Sequence, residues 1–256
     1  MKRLLALLAA AWLFAGCGLL TNINWNGERL ASATGKTITA MSITDEQIVE
    51  LCRQSVEQLD KQSTIDNGAY ITRLRRVMAN VGQVNGMTLN YKVYRTDEVN
   101  AFASGDGSVR VYSGLMDIMN DDELVAVLGH EIGHVVHQDS KNALKKAYLA
   151  SAASDVVGAA GTVGAVTQGI AGGITEALVN AQFSQKQEYK ADEYGFQFAI
   201  ATGHSPYSMA QALEKLKALS EGSQASSVAQ MFSSHPDNAK RAAKMRAAAD
   251  EYTKKK

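Results

Sequence analysis

The sequence predicts an α+β, helix-rich fold, and three observations carry that prediction. Long stretches repeat apolar residues at helical spacing, two short stretches alternate apolar and polar residues as strands do, and only 2 prolines fall in 256 residues. Hydrophobic residues make up 46% of the chain, enough to bury a sizeable core. Lys+Arg and Asp+Glu balance at 26 each without a basic stripe, which removes the electrostatic case for a nucleic-acid partner.

Residues 1–16 read as a signal peptide rather than as part of the fold. Lys2 and Arg3 supply a positive start, and Leu4 to Phe14 form an apolar run too short to span a bilayer comfortably. Ala15-Gly16-Cys17 resembles the lipobox of bacterial lipoproteins, which makes Cys17 the lipidation site and gives the chain a membrane anchor. Phe14 stands where such boxes usually carry Leu, and an ordinary secretory signal with an incidental cysteine is the alternative. Gly18 follows the cysteine instead of the Asp that tends to hold lipoproteins at the inner membrane, so the expected location is the outer membrane, facing the periplasm. With Cys17 lipidated, Cys52 is the sole remaining thiol and no intramolecular disulfide forms. Residues 17–42, rich in Asn, Thr, Gly and Ser, read as a tether, and residues 43–252 as the folded domain.

Within that domain Thr44 reads as an N-cap, and Ile48, Leu51, Cys52, Val56 and Leu59 mark a helix over 45–60. A second helix is predicted for Ala69 to Val81. Asn85-Gly86 is a turn, residues 89–94 alternate as a strand, and Asn100–Ser104 and Val109–Tyr112 are two further strands expected to lie near one another. Asp121 and Asp122 open a long helix that runs past His134. Residues 156–174 carry no charge and six glycines, and are read as a small-residue helical hairpin or a mobile cover near the active site. Helical patterns follow over 174–201, from Ser205-Pro206 through Leu219, and over 238–252, with a Ser-rich loop at 220–230.

The string Gly129-His130-Glu131-Ile132-Gly133-His134 carries the chemistry. Two histidines four apart on a helix project from one face, one turn apart, and their imidazoles converge on one zinc ion. The intervening Glu131 reaches the position they leave open and is suited to take a proton from water there. A hydrolytic zinc needs a third protein ligand. His137 fails on geometry, because at about 1.5 Å rise per residue it lies roughly 10 Å along the axis from His130. Glu188 on a later helix is the better candidate, and Asp192 one turn on is placed to accept the free ring N–H of a zinc-bound histidine. Gly133 in mid-helix costs about 1 kcal/mol against Ala, which points to close packing there.

Five stretches together carry a family resemblance: Val99 to Ala103, Val111 to Leu115, His130 to His134, Glu188 to Asp192, and Ser234-His235-Pro236 with Arg241. Over roughly residues 40–250 the chain resembles the zinc metallopeptidases that include the CAAX prenyl proteases and the heat-shock membrane protease HtpX, and among them the small periplasmic lipoproteins. The resemblance implies a gluzincin fold, with the active-site helix packed under a small sheet and one zinc per chain. It implies His130, His134 and Glu188 as ligands and Glu131 as general base. His235, just before Pro236, is the expected donor to the oxyanion, with Arg241 as its helper. The lipoprotein relatives carry a second cysteine where this chain has Ser108.

The function expected is therefore that of an envelope endopeptidase acting on misfolded or membrane-associated proteins. Its substrate lies extended along the edge formed by Asn100, Ala101, Phe102 and Ala103. Outer-membrane assembly or quality-control proteins are the expected partners. The rival reading is a lipoprotein chaperone or assembly factor that keeps the fold without catalysis, against which the intact Glu131 argues.

Overall fold

A computed structural model describes residues 44–79, 81–144, 146–147, 181–222, 225–236 and 238–255. The expected signal peptide, Cys17, the tether and the Gly-rich 156–174 segment lie outside them.

Capping chemistry sets where the main helices begin. The first, α1 (Asp45–Gln62), starts at a capping box in which Thr44 accepts from the Gln47 amide and Gln47 returns the bond to the Thr44 amide. α2 is Ala69–Val77 and buries Ile71 and Leu74. Asn85 and Gly86, both at positive φ (50° and 79°), turn the two-residue strands β1 (Gln83–Val84) and β2 (Met87–Thr88) into an antiparallel hairpin.

The main sheet has three strands in the order β3 (Asn90–Tyr94), β5 (Ser108–Tyr112), β4 (Ala101–Ala103). β3 runs parallel to β5, and β4 runs antiparallel to it with Phe102 opposite Arg110. Among the described residues β4 therefore ends the sheet, with no strand paired to its outer edge. The Tyr112 amide donates to Asn100 O at 3.0 Å and the Ser104 amide to Ser108 O at 2.8 Å. Backbone groups alternate sides along a strand, so those of Ala101 and Ala103 face that outer edge.

After the short α3 (Ser113–Ile118) comes the central helix α4 (Asp121–Val136), opened by a capping box of Asn120 with Glu123. Leu124, Val125, Leu128 and Ile132 of α4 share a core with Val93, Val109 and Val111 of the sheet. Each fully buried aliphatic side chain there contributes about 2 kcal/mol. On its other side Ala126 joins a second core with Phe196, Met209, Leu213 and Met245 from α5 (Gln185–Ala201), α6 (Ser208–Ser220) and α8 (Asn238–Lys254).

Of the helix expected over 174–201, residues 174–180 lie outside the described ones, residues 181–184 are neither helix nor strand, and α5 starts at Gln185, where Ser184 caps it in a box with Gln187. The expected 220–230 loop instead enters α7 (Ala225–Ser234), which anchors itself through buried Val228 and Met231. Cys52 is buried in α1 as a free thiol.

Candidate metal centre and active site

α4 and α5 approach unusually closely, and small residues make that approach. A Cβ on Gly129 would stand 2.9 Å from the Phe198 side chain and 3.0 Å from the Gly195 Cα. One on Gly133 would meet Tyr194 Cβ at 3.0 Å, and one on Gly195 would meet Ala126 O at 2.7 Å. This seam of glycines sets the inner face of α5, which carries Glu188, Ala191 and Asp192, against the histidines of α4.

His130, His134, Glu188 and His235 are all buried, and one ligand atom from each lies within 4.8 Å of the others. The two Nε2 atoms of His130 and His134 are 3.2 Å apart, and His134 Nε2 is 3.3 Å from Glu188 Oε1. His130 Nδ1 is 2.9 Å from Asp192 Oδ1, and His134 Nδ1 is 2.9 Å from Asp139 Oδ2. A carboxylate at Nδ1 fixes the proton there, which leaves a lone pair on each Nε2. Two lone pairs facing one another at that distance repel, and a cation between them removes the conflict. Ligands at about 2.0 Å from one tetrahedral zinc stand about 3.3 Å apart, so this donor set fits that ion. Glu131 Oε1 is buried without a hydrogen-bond partner among the described residues, as a base awaiting water and substrate would be.

Asp192 and Glu188 are held by Arg241, itself only 1% exposed. Arg241 donates Nε to Asp192 Oδ2 at 2.8 Å and Nη2 to Oδ1 at 2.6 Å, while Nη1 lies 2.5 Å from Glu188 Oε2. Burial alone would raise both carboxyls, but hydrogen bonds and the nearby cations outweigh it, and both stay well below the usual carboxylate range. Burial holds the His130 imidazole neutral-leaning, with its pKa lowered. For His134 the same burial is overcome by Asp139 and Glu188, which push it up to about 9, so that without a metal a proton on Nε2, facing Glu188 Oε1, takes the place of the cation between the two rings.

His235 follows directly on α7, whose last residue is Ser234, and its amide donates to Met231 O at 2.9 Å. Its Nδ1 faces Glu188 Oε1 at 3.0 Å and His130 Nε2 at 3.2 Å, while Nε2 is 3.7 Å from Glu131 Oε1. His137 is not one of the four grouped residues; its ring packs edge-on to Tyr194, centroids 6.1 Å apart. Asn100, Ala101, Phe102 and Ala103 line the cleft over Glu131, His134 and His235. Sequence reasoning missed Asp139 and Phe183. Asp139 follows His134 by five residues, where Gln138 at φ 62° reverses the chain and returns its carboxylate to the ring. Phe183 stacks on the other face of the site and carried no signal beyond being an isolated aromatic.

Two histidines one helical turn apart, a glutamate from a second helix, and a free carboxylate between the histidines define a zinc metallopeptidase. The family model of peptidase family M48 matches residues 66–249, and the chain belongs to that family. It is 39% identical to metalloprotease LoiP of Escherichia coli, over 96% of this chain and 95% of that protein. It is 35% identical to metalloprotease YcaL of the same organism, over 96% of each. A beta-barrel assembly-enhancing protease of Yersinia pestis shares 29% identity over 57% of this chain and 32% of its own length.

Proposed function

We propose that this metalloendopeptidase works in the bacterial cell envelope, anchored to the outer membrane through lipid on Cys17, and cleaves misfolded or membrane-associated proteins. The observation that carries the catalytic part is the buried, unpartnered Glu131 Oε1 beside converging imidazole nitrogens. His130, His134 and Glu188 would hold the zinc. When bound, zinc supplies Lewis acidity, which makes water acidic enough to attack at neutral pH and polarises a carbonyl.

The chain's own residues do the rest. The outer edge of β4 accepts an extended peptide by strand addition, through the outward backbone groups of Ala103 and the Ala101 carbonyl, while the Ala101 amide donates to Asn100 Oδ1 at 2.9 Å. Glu131 takes the proton from the attacking water and delivers it to the leaving amine. His235 donates to the oxyanion that develops on the scissile carbonyl. Asp192 and Asp139 hold the two imidazoles in the tautomer that presents Nε2, and Arg241 fixes Asp192. The location rests on the lipobox-like Ala15-Gly16-Cys17, and partners in outer-membrane assembly are supported by the name of the Yersinia relative.

Casein digestion by the parent and by Glu131→Gln tests the mechanism. The amide is nearly isosteric but cannot act as a base, so zinc content should stay at about one per chain while cleavage falls by at least about a hundredfold. Parental cleavage by the variant would remove Glu131 from the mechanism. Metabolic labelling with an alkyne fatty acid checks the anchor: Cys17→Ser should lose the label, and an unlabelled parent would leave a plain secretory signal.

A further inference from the structure

Gln187 makes two sets of hydrogen bonds, and only one of them belongs to helix formation. It closes the capping box that opens α5: its Oε1 accepts from the Ser184 amide at 2.9 Å and from the Ser184 hydroxyl at 2.7 Å. Those two bonds fix which way the side-chain amide faces, because a backbone N–H can only donate. Its Nε2 is left for another acceptor, and it donates to Asp139 Oδ1 at 2.7 Å.

Asp139 depends on that bond. α4 ends at Val136, and Gln138 at φ 62° reverses the chain, so Asp139 stands outside the helix whose histidine it orients. Among the described residues each of its carboxylate oxygens has one hydrogen-bond partner, Gln187 on Oδ1 and His134 Nδ1 on Oδ2 at 2.9 Å. A continuous chain of bonds thus runs Ser184–Gln187–Asp139–His134, from the start of the helix that carries Glu188 to a ring on α4. Without Gln187 the carboxylate keeps a single tie and can turn about it, and the His134 ring turns with it.

Helix capping alone does not call for Gln at this position. Glu closes a capping box equally well, and its charge is favoured at a helix N-terminus. An ionised Glu side chain there would face the Asp139 carboxylate with like charge and no hydrogen to donate. The amide at position 187 is what Asp139 requires.

We propose that Gln187 is a positioning residue for the metal site: through Asp139 it holds the His134 imidazole with Nε2 aimed at the zinc. The inference rests on the reading of His134 as a zinc ligand. The test compares the parent, Gln187→Glu and Ser184→Ala in two measurements. One is the zinc dissociation constant, by competition with a chromogenic chelator, and the other is the thermal midpoint of the zinc-free protein. Gln187→Glu keeps the cap and should keep the midpoint, yet bind zinc roughly tenfold to a hundredfold more weakly, the scale of losing the hydrogen-bonded support of a metal-binding histidine. Ser184→Ala removes the capping hydroxyl but keeps the backbone amide that holds Gln187. It should lower the midpoint and bind zinc as tightly as the parent. Gln187→Met, of similar length with neither polar atom, should also bind zinc more weakly and serves if the glutamate variant does not fold. Parental affinity in either Gln187 variant, or affinity that merely follows the midpoint across the set, would overturn the inference and leave the ligand set intact. A parent that binds no zinc would remove the ligand reading and this inference with it.

Discussion

Among the described residues, the partly buried charge cluster around Asp60 and the buried one around Glu188 differ in how completely they are satisfied. Asp60 accepts from Arg110 at 2.8 and 3.0 Å, from Lys92 at 2.7 Å and from the Tyr94 hydroxyl at 2.7 Å. The remaining guanidinium nitrogen of Arg110 bonds Asn90 O at 2.9 Å. Every group there points at a partner of opposite character, and the result ties α1 to β3 and β5. Around Glu188 two imidazole nitrogens face one another at 3.2 Å, and Glu131 Oε1 has no hydrogen bond among the described residues. The first cluster is complete as the chain stands. The second leaves buried groups whose partners the described residues do not supply, the state expected of a site that takes a cation and a substrate.

The largest effect that would break this contrast concerns Asp60. Asp60→Asn leaves Arg110, 2% exposed, without its counter-charge and should cost on the order of 3 kcal/mol in urea unfolding. Zinc content and casein turnover of the folded variant should match the parent. Burial works against ionised Asp60, but Arg110, Lys92 and Tyr94 outweigh it and hold its pKa down at about 2. A depressed carboxylate stabilises above its unfolded pKa, about 4, and loses that stabilisation as pH falls through the folded value. The gap between parent and variant should thus be constant from neutral pH to about 4 and close between about pH 4 and 2. A variant of parental stability at pH 7 would remove the distinction between the clusters.

His235→Ala sharpens the other side. It should keep about one zinc per chain and lose about a hundredfold in turnover, the scale of one oxyanion donor. Zinc analysis and initial rates on casein check it. Lost zinc would make His235, whose Nδ1 lies 3.2 Å from His130 Nε2, a metal ligand. A faster variant would make it a group that blocks the open position.

The satisfied parts of the fold were the more legible in sequence. Thr44, Asn85-Gly86 and the period-2 pattern of 89–94 announce their elements because the causes are local: a cap, a left-handed turn, a pleat. The His130–His134 spacing is likewise local to one helix. Glu188 and Asp192 were reached only by joining two helices, which the glycine seam brings together. Asp139 and Phe183 escaped because nothing local marks them. One acts through a chain reversal at Gln138, the other lies in a stretch that looked helical but is neither helix nor strand until Ser184 caps α5. α7 escaped for the opposite reason, since its serines suggest a loop although Val228 and Met231 sit three apart on a buried face.

The central claim is that one glutamate from α5 completes a metal site begun by two histidines on α4. Zinc per chain after exhaustive dialysis tests it in three proteins: the parent, Glu188→Ala and His137→Ala. The parent and His137→Ala should each retain about one zinc, as expected of an intact two-histidine, one-glutamate site, and Glu188→Ala should retain almost none. Zinc kept by Glu188→Ala and lost by His137→Ala would contradict the account.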